Sequence, residues 1–143
     1  MFIGEYRHNL DAKNRLIIPS KFRDQLSTSV VIVEWMEGCL AVFTEEQFSK
    51  VSAEYSALPI SDLSARTFQR MIHSKASESD IDGQGRILLP TFMIKDEAFK
   101  KACVVVGAAN YFEIWPEEKY EEYISGISLE ESAAKVTELM KSW

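Results

Sequence analysis

A ten-residue pattern occurs twice in this chain. Asp11-Ala12-Lys13-Asn14-Arg15-Leu16-Ile17-Ile18-Pro19-Ser20 returns as Asp82-Gly83-Gln84-Gly85-Arg86-Ile87-Leu88-Leu89-Pro90-Thr91, with Asp, Arg and Pro at a constant offset of 71 and an apolar triplet before the Pro. A lone Asp-x-x-x-Arg usually marks a surface ion pair. Two copies at one offset constrain the whole architecture. The match continues at an offset of 72, where Val31–Val33 aligns with Cys103–Val105, Gly38–Phe43 with Asn110–Trp115 and Glu45–Phe48 with Glu117–Tyr120. Loop, strand, turn, strand and helix start recur in one order, so the chain consists of two homologous halves around a middle segment.

Local signals fill in the elements. Glu5–Leu10 and Arg15–Ile18 read as two strands of a hairpin with a polar tip, closed by Pro19. The residue before each Arg is Asn14 or Gly85, the types that best tolerate positive φ, so both tips need that backbone shape. Pro19–Leu26 reads as a short helix with Phe22 and Leu26 inward and a basic face of Lys21 and Arg23. The second copy has Phe92, Met93 and Ile94 there and so lacks that basic face. Val30–Trp35 with Cys39–Phe43, and Ala102–Val106 with Tyr111–Trp115, form further hairpins.

Thr44 to Gln47 is a capping box opening a helix to about Tyr55, and Ser128 to Glu131 opens another. Between 62 and 72 a helix carries Arg66 and Arg70 on one face and Leu63, Met71 and Ile72 on the other. Leu129, Ala133, Val136, Met140 and Trp143 make one apolar stripe at steps of four and three. Such a stripe most often packs on the chain's own core, contact with a neighbouring subunit being the alternative.

With 143 residues and 46% apolar content the halves can share one core. No apolar run approaches the roughly 20 residues that cross a bilayer, and the N-terminus is too short and polar for a secretory signal, so a cytoplasmic protein with no membrane partner is expected. Cys39 and Cys103 are lone thiols in strand patterns, read as packing residues rather than a disulfide or metal site. The net charge of −6 counts at first against nucleic acid. Its distribution is polarised: residues 117–143 carry seven acids against three lysines, whereas Arg7–Arg23 carries five cations against one acid.

Catalytic patterns are missing. His8 and His73 have no metal-ligand spacing, there is no nucleophile elbow or phosphate-binding loop, and Gly83–Arg86 is too short for a dinucleotide fingerprint. No enzyme activity, cofactor or small-molecule substrate is expected. An arginine at a constrained tip can instead fork onto a phosphate or onto guanine O6 and N7, with nearby cations adding phosphate contacts. The candidate DNA-binding residues are Arg15 and Arg86, with Lys13, Asn14 and Gln84 at the tips and Arg7, Lys21 and Arg23 beside the first copy. Asp11 and Asp82 orient the two arginines.

The doubled Asp-x-x-x-Arg-apolar-apolar-apolar-Pro resembles the signature of SpoVT-AbrB DNA-binding domains. With the opening Met1-Phe2-Ile3-Gly4-Glu5-Tyr6 and Pro19-Ser20-Lys21-Phe22-Arg23, the whole chain resembles the MraZ family of bacterial regulators. The resemblance implies an α+β fold with a mainly β core: a swapped-hairpin, double-split β-barrel formed by two halves of one chain and flanked by helices. It places one repeat at 5–47, a helical connector at 48–75, a second repeat at 76–119 and a helical tail at 120–143. It implies a homo-oligomeric ring, such as an octamer, associated with the nucleoid and binding tandem repeats in the double-stranded promoter of the division and cell-wall gene cluster, usually as a repressor. The alternative is a non-enzymatic oligomeric scaffold or partner-binding protein of AbrB-like fold.

Overall fold

A computed structural model describes residues 1–142. The first half supplies β1 (Glu5–Asn9), β2 (Arg15–Ile17), α1 (Ser20–Arg23), β3 (Ser29–Glu34), β4 (Leu40–Phe43) and α2 (Glu45–Ser56). After α3 (Leu63–Ser74) the second half repeats the order with β5 (Ser77–Asp80), β6 (Arg86–Leu88), α4 (Thr91–Asp96), β7 (Ala102–Gly107), β8 (Phe112–Pro116) and α5 (Glu117–Ser125). A final helix, α6, spans Leu129–Lys141. The result is a mixed α+β chain built on β structure.

The strands pair across the halves. Six of them form one sheet in the order β1-β7-β8-β4-β3-β5, and β2 and β6 form a two-stranded ribbon. The expected ladder between Glu5–Leu10 and Arg15–Ile18 is absent: β1 runs antiparallel to β7, with Tyr6 opposite Val105, and β2 runs antiparallel to β6, with Leu16 opposite Ile87. Each half thus lends its first strand to the other half's hairpin, as in the swapped arrangement the resemblance implied. The six-stranded sheet does not close, because β1 and β5 are its edges.

Alternation sorts the side chains into layers. Val30, Ile32, Leu40, Val42, Cys103, Val105, Phe112 and Ile114 point to one face and meet Leu16, Ile18, Ile87 and Leu89 from the ribbon strands and the residues that follow them. Phe22, the buried residue of α1, sits with ring centroids 5.3 Å from Phe2 and 5.1 Å from Phe112, so it joins both halves. Burying a side chain of that size stabilises by about 2–3 kcal/mol. On the other face α2 and α3 cover Val31, Val33, Ala41 and Phe43, while Tyr120 of α5 covers Cys39, Val104 and Trp115. Both thiols are buried and unpaired.

Helix starts follow their caps. Thr44 accepts from the Gln47 amide, Asp62 from Ala65 and Ser128 from Glu131. Two facial assignments are corrected. Leu63 and Met71 of α3 face solvent, since Ile72 alone of that set turns to the sheet. The α6 stripe does not pack on the chain's own core: Leu129 is 87% exposed, and Val136 and Met140 are more than half exposed. Trp143 lies outside the described residues. The halves also meet at an acidic cluster in which Lys75 Nζ lies 3.7 Å from Glu34 Oε2 and 3.3 Å from Asp96 Oδ2. Burial and the neighbouring Asp96 push the Glu34 carboxyl up to about 7.

Candidate nucleic-acid interface

The two Asp-Arg loops have one geometry. Asp11 Oδ1 accepts from the amides of Lys13 and Arg15, both at 2.9 Å, and its Oδ2 accepts from Arg15 Nε at 2.7 Å. Asp82 repeats each bond, taking the amides of Gln84 and Arg86 at 2.9 Å and Arg86 Nε at 2.8 Å. The Arg15 and Arg86 amides, followed by their guanidinium bonds, hold both carboxyls below the usual range. The tip closes through the left-handed conformation of Asn14 (φ 62°) and Gly85 (φ 76°), as the two residue types require.

Pairing of β2 with β6 sets these loops side by side. Arg15 stands opposite Leu88 and Ile17 opposite Arg86, while Leu16 and Ile87 point inward. Arg86 Nη1 is 3.7 Å from Asp11 Oδ2, so the two tips share a charge contact. Neither guanidinium is sealed, the side chains of Arg15 and Arg86 being 32% and 21% exposed. Each arginine is gripped at Nε, which leaves its terminal amino edge available for a second acceptor.

Comparison with known proteins identifies the repeat. The family model described as "MraZ protein, putative antitoxin-like" matches twice, over residues 1–71 and 72–142. The chain belongs to the MraZ family. It is 46% identical over 123 residues to "Transcriptional regulator MraZ" of Ligilactobacillus salivarius, covering 86% of each chain. A relative of the same name from Oenococcus oeni is 44% identical over 126 residues, 88% of each chain. That of Clostridium tetani is 41% identical over 140 residues, 97% of this chain and 99% of its own. These relatives are named as regulators, not enzymes.

The residues predicted around the MraZ repeat separate into groups. Lys13, Gln84 and Lys21 are exposed, Asn14 is half-buried at its tip, and Arg23 crosses to the second loop, where Nη1 donates to the Gln84 carbonyl at 3.3 Å. Arg7 is not drawn to the loops. It lies 2.6 Å from Glu121, 3.4 Å from Glu117 and 3.6 Å from Glu5, and these carboxylates, Glu121 foremost, hold its pKa up. The basic head is therefore partly neutralised by the acidic tail.

Two features escaped the sequence. Ile17 and Leu88 are exposed beside the arginines. The continuous apolar run Leu16-Ile17-Ile18 conceals them, although strict alternation from Arg15 turns Ile17 outward with it. Lys100 and Lys101, just before β7, line a shallow cleft with Asp11, Ala12 and Asn14. Lys100 is taken by Glu118 at 3.1 Å, whereas Lys101 is exposed and makes no ion pair among the described residues. Only the exchange of strands between halves brings Lys101 there, with its carbonyl accepting from the Leu10 amide at 2.8 Å.

Proposed function

We propose that the chain is a sequence-specific DNA-binding transcriptional regulator that represses the promoter of the division and cell-wall gene cluster, binding tandem repeats as a ring of copies. The carrying observation is the juxtaposition of two equivalent loops on one ribbon, each offering a solvent-reaching guanidinium held by an aspartate. The names of the relatives support the regulatory role. Duplex DNA is the partner, and the protein works in the cytoplasm on the nucleoid without cofactor, membrane or small-molecule substrate. No helix among the described residues is long and apolar enough to cross a membrane.

Chemistry favours a duplex over a peptide or lipid. A guanidinium gripped at Nε by Asp presents two terminal amines that match guanine O6 and N7 or two phosphate oxygens. Ile17 and Leu88 supply methyl groups suited to thymine C5 contacts. Lys13, Lys21 and Lys101 lie around the tips for phosphates.

Assembly answers the net negative charge. Exposed apolar residues on α6 (Leu129, Val136, Met140) and on α3 (Leu63, Met71) give surfaces for neighbouring copies. Several weak faces in one ring then act through effective concentration. The test is a salt series by fluorescence anisotropy, using labelled duplex from upstream of the chain's own coding sequence. If about four to eight phosphates are neutralised, log K falls against log salt with a slope of about −4 to −7. A flat series overturns the proposal.

A further inference from the structure

Each arginine loop abuts the helix of the opposite half. The Gly85 carbonyl accepts from the Ile18 amide at 2.9 Å, just before Pro19 and α1. By the same rule the Asn14 carbonyl accepts from the Leu89 amide at 2.9 Å, just before Pro90 and α4. Thus α1 begins at the tip that holds Arg86, and α4 begins at the tip that holds Arg15.

Only one of these meetings contains a guanidinium. Arg23 Nη1 donates to the Gln84 carbonyl at 3.3 Å, and the side chain fills the space that a Cβ at position 85 would occupy, 1.9 Å from Nη1 and 2.5 Å from Cδ. At an offset of 71 the counterpart of Arg23 is Ile94, and that of Gly85 is Asn14. Ile94 packs against the core and has no donor to extend. The duplicated loops share the aspartate grip and an amide bond from the opposite half, and differ in the side chain the opposite half adds: Arg23 at the second, no donor at the first.

We infer that Arg23 is a positioning residue for Arg86. The basic turn after the first Pro completes the second DNA loop, not its own, so the apolar Phe92-Met93-Ile94 segment is no measure of how well the second half binds. Arg23 fixes the carbonyl of the tip through Nη1, so that the loop presents Arg86 in one geometry. This role rests on the DNA binding proposed above.

A double-variant cycle tests it, with anisotropy on the same promoter duplex and amide hydrogen exchange on the free protein. Arg23→Ala weakens binding by about tenfold in the unmodified chain and in the Arg15→Ala background, yet by less than about twofold once Arg86→Ala is present. Arg23→Lys, which keeps charge but not the fork, recovers only part of the loss. Without DNA, Arg23→Ala speeds exchange in the peptide covering 82–88 and leaves that covering 11–17 unchanged. Equal losses in both backgrounds, or coupling to Arg15 instead, overturn the assignment. So does unchanged exchange at 82–88. If the unmodified chain fails to bind the duplex while exchange responds as expected, the proposed DNA binding fails and the positioning of the loop stands.

Discussion

Replacing Gly85 by Ala should be costly for two separable reasons, its backbone conformation and the Arg23 side chain beside it. The residue is buried at the second tip with φ at 76°, where an L side chain pays about 1–2 kcal/mol. The new Cβ would also lie 1.9 Å from Arg23 Nη1, so that side chain must leave the Gln84 carbonyl and its packing, adding about 1 kcal/mol. The sum, about 2–3 kcal/mol, lowers the thermal midpoint by about 6–12 °C in a chain of this size. Thermal unfolding by circular dichroism on four proteins decides the matter: the unmodified chain, Gly85→Ala, Arg23→Ala and the double variant. With Arg23 truncated, Gly85→Ala should cost only its backbone share of about 1–2 kcal/mol. Equal costs in the two backgrounds, or a neutral Gly85→Ala, would refute the contact between α1 and the second loop.

Two further outcomes follow from the same geometry. Asp82→Asn and Asp11→Asn each remove a negative charge beside the proposed DNA, which by electrostatics alone would tighten binding; loss of the grip on Arg Nε should prevail, so affinity on the promoter duplex falls by about tenfold. Binding as tight as the unmodified chain's would mean that the aspartates do not orient the arginines. At the seam, the Glu34 carboxyl holds its proton up to about 7 against an ordinary 4.5, so the folded state binds more protons than the unfolded chain across that window and stability falls as pH rises through it. Glu34→Gln should flatten this slope and raise the thermal midpoint at pH 8, and a slope unchanged in denaturation series from pH 5 to 8 would count against the buried proton.

Much of the site was legible because the motif is local. The Asp carboxylate, the amides two and four residues on and the positive φ before each Arg lie within five residues, so spacing alone defines the loop. The capping boxes at Thr44 and Ser128 were legible for the same reason. What pairs with what was legible only through the family resemblance, not from any local signal. Strand β1 finds β7 and not β2 because the halves exchange strands, a choice between ladders of similar composition that no window of sequence contains. The partners of Arg7 were hidden by this: its neighbours in the chain are cations, but folding brings Glu117 and Glu121 of α5 against it. The exposure of α6 escaped because an apolar stripe has the same periodicity whether it meets its own core or a second copy.

The central claim, that two side-by-side guanidiniums grip duplex DNA, is tested most directly by Arg15→Ala with Arg86→Ala in one chain, titrated against the promoter duplex with native mass measured in parallel. Binding should fall by at least about a hundredfold while mass and thermal midpoint hold, since both side chains reach solvent and carry none of the core. Undiminished binding by an intact assembly would contradict it.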